Sequence, residues 1–235
     1  MFSGIEFNNK HSYKDMNLTI AKREIGNPSK IKRLERVAFS NQIYDFSELY
    51  GMQEYEERSL KYKFNIGFGS YFEPFYIFES EVINWIMGVN DKVILKDDFI
   101  PGYYFLAEVV NDPTNEHLFA GGTLEVEFTA YPFKIGDLEE GNDIWDDFNF
   151  LLDVAQETEF EVNSSKEVTL YNPGASTLRP AINAAASMKI IKGNTTFNVP
   201  AGRSQSYDFH LDTGENPIMI TGNGTISFHF HKEMI

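Results

Sequence analysis

The sequence predicts a mainly β protein with one amphipathic helix, and three observations support this fold class. Apolar and polar residues alternate with a period of two over several segments, which is typical of strands with one buried and one solvent-facing side. Aromatic residues make up 15% of the chain, including 21 Phe, and aromatic rings pack well on pleated surfaces. In the C-terminal third, turn signals recur about every ten residues without any helical pattern between them.

Four segments of the first half are predicted to be strands. Alternation predicts strands with one buried face at residues 16–20, 60–66 and 124–130. Residues 103–110 are apolar on both faces apart from Glu108. A strand of that kind is expected to be covered on both sides.

One segment has helical spacing instead. Its apolar residues recur at positions i, i+4, i+7, i+8 and i+11, so they form a single stripe along a helix. These residues are Phe78, Val82, Trp85, Ile86 and Val89. Gly88 suits the end of the helix. We therefore expect one amphipathic helix packed on a sheet.

The pattern changes beyond about residue 155. Turns are predicted at residues 172–174, 192–194, 200–202, 212–214 and 222–224. Short strands are predicted between them at Phe197/Val199, Tyr207/Phe209/Leu211, Ile218/Ile220 and Ile226/Phe228/Phe230. The sequence thus predicts a first domain over 1–150, β with one helix, and a second, all-β domain over 151–235. The boundary between them is open within 137–165.

Composition excludes several classes of protein. A net charge of −15 argues against nucleic acid as a partner, because phosphate binding needs a basic surface. The chain has no cysteine, which excludes disulfides, thiolate metal sites and a cysteine nucleophile. No apolar run approaches the roughly 18 residues of a membrane span. The first residues lack the pattern of a secretory signal, which predicts synthesis in a cytoplasm.

Charge is unevenly distributed along the chain. Residues 1–36 contain eight Lys or Arg and four Asp or Glu, a net charge of +4, whereas residues 137–161 contain ten acids and no Lys or Arg. One interpretation is an acidic surface that only meets solvent. The other is a pair of complementary patches that steer copies of the protein together.

No catalytic or nucleotide-binding motif is present in the sequence, and the acid pairs do not suggest one. Glycosidase carboxylates face each other across a substrate, which neighbouring residues on a strand or loop rarely do. We therefore expect Asp97-Asp98 and Asp146-Asp147 to be solvated loop acids.

Three histidines could in principle bind a metal ion. His229 and His231 share one face of a predicted strand, and His210 could join them. The alternative is that Phe228 and Phe230 face the core while both histidines face solvent. Because no acid or cysteine lies at ligand spacing, this alternative is favoured, and we expect no metal and no cofactor.

Several ordered motifs give the chain a family resemblance. The opening IEFNNKHSYKDMNLTIAKREIGNP is followed by VAFSNQIYDFSELYG, YEERSLKYKFNI and FTAYPFKI, and later by GNDIWDDFNFLLDVAQETEFEV and LYNPGAST. In this order and spacing they resemble the siphophage tail proteins known as distal tail proteins, of phages or prophages of Gram-positive bacteria. The likeness covers nearly the whole chain and is densest over residues 1–135. Ala38 replaces the proline usual in the family.

The resemblance implies a structural, non-enzymatic role. Residues 1–150 are implied to form a tail-tube-like domain that assembles a hexameric ring, and residues 151–235 a galectin-like β-sandwich. Such a ring joins the tail tube to the tip or baseplate of the virion and is a hub for receptor-binding proteins. Implied partners are copies of the chain, the tail-tube protein, the tail-tip or tail-associated protein, and receptor-binding or baseplate proteins. The implied location is the virion tail tip.

The charge split suggests an arm or hairpin whose cations meet acidic groups of a neighbouring subunit; these cations are Lys22, Arg23, Lys30, Lys32, Arg33 and Arg36.

The alternative function is a carbohydrate-binding module protein that binds host wall sugar through the C-terminal sandwich. The short C-terminal domain has no room for an inserted carbohydrate-binding module, which counts against that alternative.

Overall fold

The computed structural model describes residues 3–49, 51–66, 75–118, 121–145 and 148–235. Contacts divide the chain into two compact units, Met1–Lys134 with Ile235, and Ile135–Met234. This division precedes the boundary that the sequence suggests near residue 150. Strands dominate both units, so the mainly β class is confirmed. Among the described helices, none has the length and apolar character needed to cross a membrane.

The first unit contains ten strands and one helix among its described residues. They are β1 Ile5–Phe7, β2 Lys10–His11, β3 Thr19–Ile25, β4 Leu34–Arg36, β5 Ile43–Asp45, β6 Arg58–Ile66, α1 Phe75–Met87, β7 Val93–Asp97, β8 Tyr103–Val109, β9 Thr114–Leu118 and β10 Gly121–Ala130. The main sheet has the antiparallel order β2-β1-β7-β8-β10-β6-β3, and β9 pairs with β10. β4 and β5 form a separate two-stranded sheet.

The predicted strands at 60–66 and 124–130 form the centre of this sheet. They pair in register, with Leu60 opposite Phe128 and Phe64 opposite Leu124. These four side chains are fully buried, while the lysines of β6 lie on the other face. The period-two pattern therefore predicted both the strands and their buried side.

Helix α1 covers the sheet with its predicted apolar stripe. Val82, Trp85 and Ile86 are buried in the core of the unit. The Trp85 Nε1–H also donates a hydrogen bond of 2.7 Å to the Phe7 carbonyl oxygen. A Cβ at Gly88 would lie 2.5 Å from the Asn84 carbonyl oxygen, so glycine is required where the helix ends.

Two strand predictions in this unit need correction. The strand predicted at 16–20 begins only at Thr19, and residues 12–16 form turns in which Asn17, with φ of 50°, completes the reversal. Met16 and Leu18 are buried, but from a turn rather than from a strand. In β8 Phe105 and Ala107 are buried and the other residues are partly buried, so one face is fully covered and the other only in part.

The second unit contains eight strands, the first of which starts at the division between the units. They are β11 Lys134–Gly136, β12 Glu159–Asn172, β13 Ala181–Ala184, β14 Met188–Lys192, β15 Thr195–Val199, β16 Gly202–Ser204, β17 Gly214–His229 and β18 Glu233–Met234. Five form a sheet in the order β15-β14-β17-β13-β16, β12 also pairs with β17, and β11 pairs with β18. A separate apolar core includes Phe160, Leu170, Phe209, Ile220 and Phe228.

Strand β17 overturns one predicted turn. The sequence suggested a reversal at 222–224, yet these residues continue the strand and pair with residues 162–164 of β12. Gly222 and Gly224 have φ of 146° and 120°, and Ser164 opposite has φ of 70°. The paired strands bend here without turning back, because glycine tolerates positive φ. Both faces are exposed from Asn163 to Glu167.

The strand predicted at 207–211 is also absent. Tyr207 lies in a bend and is largely exposed, whereas Phe209 and Leu211 are buried from an irregular segment. This segment is held by an isolated bridge between Leu178 and Leu211. Alternating burial in this segment therefore belongs to an irregular loop that packs into the core and not to a strand of a sheet.

Candidate subunit-docking surface

A hairpin built from β4 and β5 stands apart from the main sheet. The hairpin comprises residues 31–47. Phe46 N–H donates to the Arg33 carbonyl oxygen at 2.9 Å, and Val37 N–H donates to Gln42 at 3.1 Å. At the base, Ile31 N–H donates to Glu54 O at 2.9 Å and Glu56 N–H to Ser29 O at 2.8 Å. Hydrogen bonds therefore join the two strands of the hairpin to each other, and join its base to residues 54–56.

One ion pair joins the two strands of this hairpin, and a second joins the hairpin to the segment at its base. Lys32 Nζ lies 2.8 Å from Asp45 Oδ2, and Arg33 Nη2 lies 2.6 Å from Glu54 Oε2. Asp45 Oδ1 also accepts the Ser47 N–H at 2.9 Å. The hydrogen bond from Lys32, followed by those from Ser47, lowers the pKa of Asp45 far below its usual value. These groups are exposed, so the pairs set geometry more than stability.

The hairpin presents apolar side chains to solvent. Leu34, Ile43 and Tyr44 are each more than half exposed, and Phe39 at the tip is fully exposed. Large apolar residues clustered on an ordered surface usually mark an interaction site. The sequence predicted the hairpin's charges, but it gave no reason to place these apolar residues outside the core.

The six predicted interface cations do not all lie together. The structure brings Lys30, Lys32, Arg33 and Arg36 to the hairpin or its base. Lys30 and Arg36 make no ion pair with any residue that the structure describes. Lys22 is exposed on β3, where it pairs with Glu24.

Arg23 lies elsewhere, in a buried cluster of the first unit. Its Nε donates to Asp97 Oδ2 at 2.7 Å, and its guanidinium stands 5.1 Å from the centre of the Phe99 ring. The same Asp97 oxygen accepts the Tyr62 hydroxyl at 2.9 Å, and Oδ1 accepts the Phe99 N–H at 3.0 Å. The Asp97 side chain is fully buried. The prediction that Asp97 is a solvated loop acid is therefore wrong.

The adjacent Asp98 holds the N-terminal segment. Its Oδ2 accepts hydrogen bonds from Gly4 N–H at 2.9 Å and from His11 Nε2 at 3.1 Å. Burial is the largest single influence on the pKa of Asp98 and raises it. The hydrogen bonds from Gly4 and His11, with the charges of His11 and Lys14, act in the other direction, and the net result is a pKa below the usual value. Asp98 is therefore a structural acid, as Asp97 is.

Substitution Asp98→Asn is expected to reduce the acid sensitivity of folding. A carboxyl whose pKa is lower in the folded state contributes stability above its unfolded pKa of about 3.9 and loses it as the pH falls through the folded value. The free energy of unfolding, measured between about pH 5 and pH 2, should fall less steeply in the variant. Asp112→Asn, in an exposed loop, is the control. Parallel curves for wild type and Asp98→Asn would contradict this role.

His229, at the end of β17, and His231, just beyond it, each contact a protein oxygen near residues 136–139. Phe228 and Phe230 face the core as expected. His229 Nδ1 lies 2.9 Å from Glu139 Oε2, and His231 Nδ1 donates to the Gly136 carbonyl oxygen at 2.8 Å. No group of three or more acidic or histidine ligands with metal-binding geometry occurs within the described ranges. Asp146-Asp147 lies outside the described residues.

The chain matches known proteins in its structure and not in its sequence. No protein-family model matches the sequence, and no curated protein does. The crystal structure of phage SPP1 Dit (gp 19.1), described as a paradigm of hub adsorption apparatus in Gram-positive infecting phages, superposes with a TM-score of 0.67 at 12% identity and covers 98% of this chain and 99% of its own. The chain has the SPP1 Dit fold. The phage p2 baseplate in its activated conformation gives a weaker likeness, with a TM-score of 0.43, 9% identity, and 98% and 97% coverage.

Proposed function

We propose that this chain is a structural, non-enzymatic component of a siphophage tail tip. The observation that carries the proposal is the match to SPP1 Dit over the full length of both chains. A match over the full length supports a shared role in assembly better than a match over a single domain would. The proposed source is a phage or prophage of Gram-positive bacteria, and the proposed location is the tail tip of the virion.

In this proposal, copies of the chain form a ring, expected to be hexameric, between the tail tube and the tip or baseplate. The tail-tube-like domain over 1–150 forms the ring, and a galectin-like sandwich over 151–235 completes the subunit. The ring is a hub for receptor-binding proteins and contacts the tail-tube and tail-tip proteins. A closed ring requires two unlike surfaces on each subunit.

The hairpin supplies one such surface. It combines exposed apolar residues with Lys30 and Arg36, whose charges are not used within the described chain. Lys22, Lys32 and Arg33 are exposed and can add to the positive potential, although each already has an acidic neighbour. Arg23 is assigned to the fold and not to this interface, because its partner Asp97 is buried.

Mass in solution and imaging test the proposal. The purified chain, alone and mixed with the tail-tube and tail-tip proteins of the same phage, is examined by light scattering and negative-stain electron microscopy. We expect rings with a central channel, six-fold in class averages, and incorporation into tail-tip complexes. A chain that stays monomeric and binds neither tail protein would overturn the proposal.

A second function, sugar binding by the C-terminal domain, is favoured by one observation. Tyr207 is 78% exposed, and the Arg179 guanidinium lies 4.0 Å from the centre of its ring. A ring braced on one side and open on the other can stack on a sugar. If this function holds, a cell-wall glycan array should bind the intact chain but not Tyr207→Ala. No binding by the wild-type chain would exclude it.

A further inference from the structure

A short capped turn in the second unit displays apolar side chains on an ordered backbone. The capped turn comprises residues 148–153. Asn149 N–H donates to Asp153 Oδ2 at 2.8 Å, and Asp153 N–H donates to the Asn149 carbonyl oxygen at 2.8 Å. Leu151 N–H donates to Asn149 Oδ1 at 2.9 Å. These reciprocal bonds fix the turn in the way that capping residues fix a helix end.

The turn is also anchored to the body of its own unit. The Asp153 carboxylate forms an ion pair with Lys232, and both side chains are largely buried. Removal of one partner of a buried ion pair is strongly destabilising. The position of the turn is therefore set by the fold.

What the turn presents is unusual for a monomer surface. Phe150 is 86% exposed and Leu151 is 93% exposed. The rings of Phe148 and Phe150 meet edge to face, with centroids 5.2 Å apart, so the exposed ring is also oriented. An ordered backbone that holds apolar side chains in water has the features of a binding knob.

The charge around the turn indicates what covers it. In the sequence the turn lies within residues 137–161, which carry ten acids and no Lys or Arg, although Asp153 is paired with Lys232 and Glu140 is buried. An occupant must therefore combine apolar contact area with positive charge. The hairpin of this same sequence does so, with Leu34, Ile43 and Tyr44 exposed beside Arg36.

We propose that the capped turn of one copy docks on the hairpin of a second copy. This inference rests on the proposed ring function and adds to it the two surfaces that meet. The contact is heterologous, since it joins different parts of two identical chains. Repetition of such a contact around an axis closes a ring. Phe150 and Leu151 are the apolar anchors, and the surrounding acids steer Arg36 and Lys30 into place.

Cross-linking of single-cysteine variants tests the contact, because the chain has no cysteine of its own. Leu151→Cys and Ile43→Cys are prepared as separate full-length proteins, mixed, and treated with a short bismaleimide. We expect a dimeric product from the mixture and none from either protein alone. Val110→Cys, an exposed apolar position on the first unit, replaces Ile43→Cys as the matched control and should give no product with Leu151→Cys.

Removal of the anchors gives an independent test. The double variant Phe150→Ser/Leu151→Ser should raise the concentration needed for assembly by roughly a hundredfold or more. Its circular dichroism should stay that of the wild type, since both side chains are exposed. Val110→Ser is the control and should assemble normally.

The outcomes separate this inference from the proposed function. Rings that form without any cross-link between positions 151 and 43, or that survive loss of both anchors, overturn the docking proposal and leave the ring function standing. A cross-link from position 151 to another tail protein, in place of a second copy, also overturns it. Failure of the wild-type chain to assemble, alone or with tail proteins, overturns both.

Discussion

Asp97→Ala is expected to lower the free energy of unfolding of the first unit by about 3–5 kcal/mol. The substitution leaves the Arg23 guanidinium, which is mostly buried, without its anionic partner. It also removes the acceptor of the Tyr62 hydroxyl. Burial, followed by the charge of Asp97 and its hydrogen bond, raises the pKa of Tyr62 far above its usual value, so this hydroxyl stays protonated and needs an acceptor at any physiological pH.

Urea unfolding followed by Trp85 fluorescence measures the effect of Asp97→Ala. The chain has two tryptophans, so a Trp145→Phe background makes Trp85, buried in the first unit, the only reporter. Asp97→Asn should lie between wild type and Asp97→Ala, because the amide keeps one acceptor oxygen without the charge. The double variant Arg23→Met/Asp97→Leu should recover much of the loss, since an apolar pair of similar size often replaces a buried ion pair at little cost. A loss below about 1 kcal/mol in Asp97→Ala would show that the cluster contributes little.

This cluster shows where sequence reasoning reaches its limit. Strands β6 and β10 and helix α1 were predictable because the pattern of apolar residues that defines each one lies within a short stretch of sequence. Arg23 and Asp97 are 74 residues apart, and Tyr62 is 35 residues from Asp97. No local feature of the sequence shows that two neighbouring acids at the end of β7 differ, with Asp97 buried and Asp98 partly exposed. The pairing of distant strands decides it.

The candidate site divides in the same way. The unequal charge of the sequence suggested an arm or hairpin carrying six cations, and the structure places Lys32, Arg33 and Arg36 on a hairpin and Lys30 at its base. The charge pattern could not separate Arg23 from that group, because charge alone does not report burial. The apolar surface of the hairpin could not be predicted either, because Leu34 and Ile43 are residue types that sequence reasoning assigns to the core. Their role as an interface stays a prediction.

The bend of strand β17 is a third case. Gly222-Asn223-Gly224 has the composition of a turn, and in isolation a reversal is the natural interpretation. The long partner strand β12 supplies backbone groups on both sides of the bend, and Asn223 Oδ1 accepts the Ser164 N–H at 2.9 Å. With these partners available, the chain continues as a strand. Tertiary pairing overrides the local preference.

Asn172→Ala is expected to lower the free energy of unfolding of the second unit by about 2–4 kcal/mol. The Asn172 side chain is 1% exposed. Its Nδ2 donates to Ser176 O at 2.8 Å and to Leu211 O at 3.3 Å, and its Oδ1 accepts the Gly174 N–H at 2.9 Å. Alanine leaves the Gly174 and Ser176 backbone groups without partners in a buried place, whereas Leu211 O keeps the bond from Leu178 N–H at 3.0 Å.

The role of Asn172 differs from that of a core apolar residue, and matched variants can separate the two. Asn198→Ala, at an exposed position of β15, should change stability by less than about 0.5 kcal/mol. Asn172→Asp keeps the acceptor for Gly174 but loses the donor and adds a buried charge, so it should be at least as damaging as alanine. Leucine has nearly the shape of asparagine but no amide. If packing of the Asn172 side chain alone stabilised the unit, Asn172→Leu would be tolerated. Because the amide satisfies backbone groups on two separate segments, we expect Asn172→Leu to be destabilised as strongly as Asn172→Ala. Near wild-type stability of Asn172→Leu would show that packing alone holds these loops, and near wild-type stability of Asn172→Ala would show that the side chain contributes little.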